Sequence, residues 1–386
     1  MANEKTYQRV VENNKKIAGE KPYMQPDKHS GEGLNERDVS AVALFSGGLD
    51  SLLAVEMVRE QGVKVFGVTF STPFFTPETA IKASKDLNLP LKIIDFTEEH
   101  LEIIKNPSHG YGKNLNPCID CHALMVKRAG EYMEEIGAQF IITGEVLGER
   151  PMSQNYKALQ IVEKDSGYQG LVLRPLSAKM LPPTTAEEKG WVDRERLEGI
   201  QGRSRKPQIA LAEKYALREY PSPAGGCLLT VESISKRLKD LLQQEGNISR
   251  SDLELLKVGR HFRLGERVKI VVGRDKEENQ KIEGLVQKND LIIKVANMPG
   301  PTTLYRGEWE EASIQLGAGI TARYSDAGPG GAVVRIWKSK GGGKGDSKEL
   351  ELEKEKENDL ELELELKLEK VVEPAGEDII NFYRIL

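Results

Sequence analysis

Short apolar runs alternate with longer stretches of helical spacing through the first half of the chain. Ala41-Val-Ala-Leu-Phe45 is an unbroken apolar run, which predicts a strand buried on both faces. Leu52, Leu53, Ala54, Val55, Met57 and Val58 follow at helical spacing, so a helix is expected from Asp50 or just after it. Residues 63–70 read as a second strand and 78–87 as a helix with Ala80, Ile81, Ala83, Ser84 and Leu87 on one face. Further strands are expected over 91–96 and 140–143, with a helix over 123–132. This alternation predicts an α/β fold, a Rossmann-like, doubly wound parallel sheet with helices on both faces. Ligands of such sheets bind at the carboxyl ends of the strands, so four loops should share one rim: 46–51, 69–76, 95–121 and 144–154.

The second half has a different pattern. A short strand over 171–176 ends at Pro175 and helical stretches follow, including 234–244, with a basic turn at Gly202-Arg-Ser-Arg-Lys206. Strands expected over 268–272, 291–295 and 332–337, with a helix over 309–316, suggest a smaller C-terminal α+β module. Residues 349–370 alternate Glu, Leu and Lys with a strand's period of two, but their charge density favours a solvated extension or a long hairpin. The expected organisation is a flexible leader over 1–40, a parallel-sheet domain over 41–175 and a helical extension carrying Cys227 over 176–250. A module over 251–340 follows, then a projecting charged insertion without catalytic work over 341–370 and a closing segment over 371–386.

Composition narrows the setting. With 386 residues there is room for two or three domains, and the net charge of −5 is concentrated in one tail segment and points to no partner. No apolar run is long enough for a membrane span and no N-terminal signal sequence is evident, so no membrane partner is expected. Three cysteines in a chain of this size are not a disulfide scaffold, and a reduced, cytoplasmic setting fits them.

The chemistry begins where the first strand ends, at Ser46-Gly-Gly-Leu-Asp-Ser51. Gly47 and Gly48 let bare backbone amides approach a ligand, and the helix that follows points its positive end at the same place. Ser46 and Ser51 add hydroxyls. The Asp50 carboxylate would repel phosphate unless a divalent cation bridged them, which implies Mg2+. No Gly-Lys-Ser/Thr follows, so this is not a Walker A loop. An ordinary strand-to-helix turn would explain the glycines but not Ser and Asp together. Thr69, Phe70 and the residues up to Phe75 form a candidate adenine slot, for which an incidental surface loop is an equal reading. Gly144 permits a further close approach, and Glu145, Arg150, Ser153 and Gln154 could order ATP or substrate.

Cys118-Ile-Asp-Cys121 opens a helix after Asn116-Pro117, where the helix dipole lowers a thiol pKa. Cys227 lies in the Pro/Gly-framed turn Tyr220-Pro-Ser-Pro-Ala-Gly-Gly-Cys227. Burial as small core residues is the bland reading of cysteines, and it suits a CxxC after proline poorly. Three readings stay open: a 4Fe–4S cluster on three thiolates with one iron open, Zn2+ on the same three plus His122 or a water, or a persulfide and disulfide pair with no metal. His122 itself reads as a helix-surface residue.

These motifs point at a family. Ser46 to Ser51 closely resembles the SGGxDS loop of N-type ATP pyrophosphatases, the PP-loop enzymes of the HUP fold, which adenylate a carbonyl oxygen. With Asn116-Pro-Cys-Ile-Asp-Cys121, Thr143-Gly-Glu-Val-Leu-Gly148 and Leu173-Arg-Pro-Leu176, residues 42–230 resemble the catalytic half of tRNA 4-thiouridine synthetases and related tRNA thiolases. The resemblance implies ATP pyrophosphate on Ser46, Gly47, Gly48, Asp50 and Ser51, nucleotide against Gly144 and Glu145, and a cluster on Cys118, Cys121 and Cys227. Arg260-His-Phe-Arg-Leu264 and Val272-Gly-Arg-Asp275 through Glu278-Asn279 resemble the small RNA-binding module of the NFACT group. Arg260, Arg263, Lys269 and Arg274 would then hold the RNA backbone. The leader is too short for the N-terminal THUMP domain of 4-thiouridine synthetases, and no C-terminal rhodanese domain is evident.

The resemblance therefore implies an ATP-dependent tRNA sulfurtransferase. Asp50 and the three cysteines would be catalytic, a sulfide or persulfide donor and tRNA would be partners, and a homodimer is allowed. The competing expectation is a PP-loop ligase or amidotransferase that activates a small-molecule carbonyl, with the cysteines on zinc. A non-catalytic RNA-binding protein with a relict nucleotide fold is a third, and the intact Ser46, Asp50 and Ser51 argue against it.

Overall fold

A computed structural model describes residues 39–217, 220–221, 227–244, 248–296, 298–328, 330–340 and 364–385. The expected leader lies outside them except at 39–40, as do 341–363 of the expected insertion and 222–226 of the turn before Cys227.

The first half is the expected parallel sheet. Strands β1 (Ser40–Leu44), β2 (Lys64–Ser71), β3 (Leu91–Asp95), β4 (Phe140–Thr143) and β5 (Val172–Leu173) lie in the order β3-β2-β1-β4-β5, every pair parallel. Helices α1 (Leu49–Arg59), α2 (Glu78–Asp86), α3 (Thr97–Lys105), α4 (Cys118–Ile136) and α5 (Tyr156–Ser166) connect and cover it. Ala41, Val42 and Ala43 of β1 are buried, as a central strand covered on both faces requires. The strand order reverses between β1 and β4, the switch point where such sheets open a crevice. Leu44 sits level with both Val68 and Thr143, so the loops leaving β1, β2 and β4 emerge side by side. Helix α4 starts earlier than 123, because the CxxC is itself its first turn after Pro117. It runs on to Gly137, whose left-handed φ of 70° ends it.

Helices α6 (Thr185–Glu188), α7 (Lys206–Lys214), α8 (Glu232–Gln244) and α9 (Arg250–Leu255) form the middle section. Helix α7 packs on α1, and Tyr215 just beyond α7 donates to Glu60 Oε2 at 2.7 Å just beyond α1.

The C-terminal module is an antiparallel sheet of six strands: β6 (Arg260–Gly265), β7 (Val268–Val272), β8 (Leu291–Val295), β9 (Thr303–Gly307), β10 (Ala332–Ser339) and β11 (Leu364–Val372). Their order is β11-β10-β8-β9-β7-β6, with α10 (Lys276–Gly284), α11 (Glu311–Arg323) and α12 (Glu377–Tyr383). Helix α11 lies further along than 309–316. Gly317, which weakens the helical signal, faces the sheet, where a Cβ would make ordinary contact with Ile293 at 3.4 Å and Tyr305 at 3.7 Å. The end of the charged stretch is not a projection. From Leu364 it is the edge strand β11, crossing the expected boundary at 370. Its period-two pattern suits an edge, and Arg335 Nε meets Glu369 Oε2 across the ladder at 2.7 Å.

Candidate active site

The loop after β1 is shaped by its neighbours. Gly47 has φ of 75°, and a Cβ on it would stand 2.5 Å from the Thr79 carbonyl oxygen, so no other residue fits. Gly48 caps α1 without a side chain, which leaves the first-turn amides of α1 free to face the rim. Ser51 Oγ donates to the Gly48 carbonyl at 2.8 Å and lies 3.3 Å from Ser46 Oγ, so the hydroxyls fold the loop on itself. A Cβ on Gly144 would stand 2.6 Å from Asp50 C and Ser51 N, so the loop leaving β4 presses on the first turn of α1. Ser46, Gly47, Gly48, Asp50, Ser51 and Gly144 thus form one cradle.

Asp50 Oδ1 is buried and has no hydrogen-bond partner. Burial raises its carboxyl above the ordinary range, while Arg205 and then Arg150 pull it back and Gln208 lies beside it. A hard oxygen donor left unfilled beside phosphate-seeking amides fits a divalent cation held between carboxylate and phosphate.

The Glu145 side chain, expected near the nucleotide, is engaged by two side chains of the protein. Its Oε1 meets His122 Nδ1 at 2.8 Å and its Oε2 meets Arg174 Nε at 3.0 Å. Burial alone would raise this carboxyl, but Arg174 and then His122 outweigh it and hold it at about 2. Arg174, only 3% exposed, also pairs with Glu163. Glu145 therefore braces the cradle from behind. His122, read from the sequence as a surface residue, is half-buried because it faces this carboxylate.

Thr69 and Phe70 are buried in β2. Phe70 and Phe75 pack on Phe96 at 5.1 and 5.9 Å between ring centroids, and Phe74, Phe75 and Phe96 surround His100. The aromatic residues of the expected adenine slot are thus packed against one another, and burial lowers the His100 pKa to about 4.

The three cysteines are free and come together. Burial pushes the Cys121 thiol far up, and the neighbouring Cys227 and Cys118 push it further. Burial also raises Cys227, with Cys118 adding to it and Arg150 opposing it. Arg150 therefore lies within electrostatic reach of both Asp50 and Cys227. Cys227 is brought here by backbone docking. Leu228 N donates to the Phe74 carbonyl at 3.1 Å, and Asn114 Nδ2 to the Thr230 carbonyl at 2.7 Å. Asn116 Nδ2 donates to Cys118 Sγ at 3.2 Å. The donor set suits a cluster or zinc, yet among the described residues no three His, Cys, Asp or Glu side chains are spaced to hold a metal ion.

The basic residues of the module are largely engaged by side chains of the module and of α8. Arg263 forks onto Asp240 at 3.1 and 2.6 Å, Arg274 pairs with Glu278, and Arg260 lies 4.5 Å above the Tyr324 ring. Lys269 is buried. Arg205 and Gln208 are site residues that the motifs did not reveal. The basic turn 202–206 was the available signal, but nothing local says that it folds over the cradle.

Strand order, cradle and orphaned carboxylate together suit the phosphates of a nucleotide. Residues 37–179 match the family model described as thiamine biosynthesis protein (ThiI), and 259–361 match that of the NFACT protein RNA binding domain. A segment similar to the ThiI family is thus followed in the chain by one similar to the NFACT RNA-binding domain. The tRNA-specific 2-thiouridylase MnmA of Listeria monocytogenes is 23% identical over 287 residues, covering 67% of this chain and 72% of the relative. A probable tRNA sulfurtransferase of Lysinibacillus sphaericus is 28% identical over 145 residues, and the chain spans 34% of that relative's length. A 4-thiouridine synthetase solved with RNA and bound ATP is 22% identical, with a TM-score of 0.29, over 47% of this chain and 54% of that one. At that score the overlay decides nothing about the fold, which stands on its own strand order. No helix among the described residues is long and apolar enough to cross a membrane.

Proposed function

We propose that the protein is an ATP-dependent tRNA sulfurtransferase, which adenylates a base carbonyl and replaces its oxygen with sulfur. The observation that carries this is Arg150, whose charge acts both on the orphaned carboxylate of the cradle and on the third thiol. A nucleotide-activating site and a sulfur-handling site then share one rim. The thiouridylase and sulfurtransferase relatives support the same reading.

The α1 amides and the Ser46 and Ser51 hydroxyls receive the phosphate tail, and Asp50 holds its Mg2+. The carbonyl oxygen of a uridine displaces pyrophosphate from the α phosphorus. A persulfide on one cysteine then attacks the activated carbon and AMP leaves. A second cysteine thiolate takes the first one's sulfur as a disulfide, which releases the thiocarbonyl. The base must be unstacked to enter, and the module at 259–361 would grip the RNA backbone, a contact that weakens with salt.

A 4Fe–4S cluster on Cys118, Cys121 and Cys227 is the competing form of the sulfur step. Iron and acid-labile sulfide in anaerobically purified protein would decide for it, and their absence for the persulfide pair. For the whole reading, tRNA-dependent pyrophosphate release and mass spectrometry of the product nucleosides are the test. Release without any thiolated nucleoside, given a persulfide donor, would favour a different acceptor carbonyl.

A further inference from the structure

The turn 202–206 and helix α7 have no role in the loop chemistry so far, yet both are fastened over the cradle. Gln201 bridges Leu147 in parallel register, and Gly202 N donates to the Leu147 carbonyl at 2.7 Å. A Cβ on Gly148 would stand 3.4 Å from Gly202 N, so turn and loop are in close contact. Helix α7 then runs along α1, whose first turn carries Asp50. Two side chains of this segment reach that carboxylate.

Gln208 is fully buried, at 0% exposure, and neither its Nε2 nor its Oε1 has a hydrogen-bond partner. Asp50 is its neighbour: Gln208 lowers that carboxyl as a hydrogen-bond donor does, yet no bond of regular geometry joins the two, and Asp50 Oδ1 is equally unpartnered. A sealed primary amide with all its hydrogen bonding unused is costly unless something else supplies the partners. Arg205 is half-buried with an unpartnered Nε, and it is the strongest charge acting on Asp50. Arg150 and Arg205 act on both Asp50 and Glu149, and two guanidiniums at one place suit the net negative charge of a magnesium–pyrophosphate tail.

We propose that Arg205 and Gln208 are the second wall of the phosphate cradle: Arg205 takes an oxygen of the leaving pyrophosphate, and Gln208 holds the Asp50 carboxylate and the water shell of its divalent cation. Arg205 touches the ligand, whereas Gln208 is a positioning residue. The proposal rests on the ATP-pyrophosphatase reading of the 46–51 loop and adds the element that closes on the tail from the opposite side.

Calorimetry on the full chain tests it, with magnesium pyrophosphate and adenosine as separate titrants. Arg205→Ala should weaken pyrophosphate binding about ten- to a hundred-fold and leave adenosine affinity unchanged. Arg205→Lys should recover part of the loss, because it keeps the charge without the fork; it also serves if the alanine variant folds poorly. Gln208→Leu, similar in size but apolar, should raise the Mg2+ concentration for half-saturation severalfold and leave adenosine binding alone, which a purely structural defect would not do. Wild-type pyrophosphate affinity in Arg205→Ala overturns its role, and a wild-type Mg2+ requirement in Gln208→Leu overturns that of Gln208; the cradle itself survives both results. An unmodified protein that binds neither magnesium pyrophosphate nor ATP overturns the cradle reading, and the second wall with it.

Discussion

The two sheets treat their charged residues in opposite ways. Arginines of the antiparallel sheet are closed off by carboxylates of the module and of the helices packed beside it. Arg306 of β9, its side chain 13% exposed, meets Asp252 Oδ1 at 2.5 Å and Asp290 Oδ2 at 2.7 Å, and Arg263 forks onto Asp240. At the rim of the parallel sheet, Asp50 Oδ1, Arg205 Nε and both amide atoms of Gln208 are buried together without partners. Saturated ion pairs hold a scaffold together. Unsaturated polar groups gathered at one strand end mark the place that awaits a ligand.

Substitutions on each side should separate the two behaviours. Asp50→Asn should lower pyrophosphate release on the order of a thousand-fold. It should also raise the stability of the unliganded protein, because it removes a buried, unpaired carboxylate; a fall in urea midpoint would place Asp50 with the scaffold instead. Arg306→Ala should do the reverse. It should cost about 3–5 kcal/mol in urea unfolding, because two buried carboxylates lose their cation, while magnesium–pyrophosphate affinity holds.

The His100 cage gives a smaller, pH-dependent effect. Its folded pKa of about 4 lies below the ordinary 6.5, so the unfolded chain takes up the proton first. Stability is therefore full above pH 6.5 and falls as the pH drops from 6.5 towards 4, by a total on the order of 3 kcal/mol. His100→Phe should flatten that slope in urea midpoints measured across the range. The smallest effect concerns RNA. Arg274, about half exposed, should lower the salt slope of RNA binding by about one when changed to Ala, whereas Arg263→Ala should leave it unaltered. Equal slopes for the two would erase the distinction between a solvent-facing ion pair and a largely buried one.

What the sequence disclosed follows the range of each interaction. The cradle was legible because strand, glycines, serines and Asp50 are contiguous, and the β1-to-α1 turn is a local structure. Gln208 was not, because its burial depends on α7 lying along α1, and nothing within α7 encodes that packing. His122 likewise owes its place to Glu145, twenty-three residues away. Strands β6 and β9 escaped because Arg260, Arg263 and Arg306 interrupt their apolar signal, and those arginines are tolerated through partners on other elements: Tyr324, Asp240 and the Asp252–Asp290 pair. Strand β11 showed its periodicity plainly, yet its charge outweighed the pattern until a cross-strand partner was known.

Helix α9 belongs to both halves. Its Leu253 lies in a core with Phe74, Leu101 and Leu229, while its Leu255 lies in another with Val271 and Ile292. Six residues bolted into two cores leave no slack for a swinging arm. An RNA gripped by the module would be measured against a fixed span, and the base that is altered would be the one lying at that reach, chosen as a ruler chooses a mark.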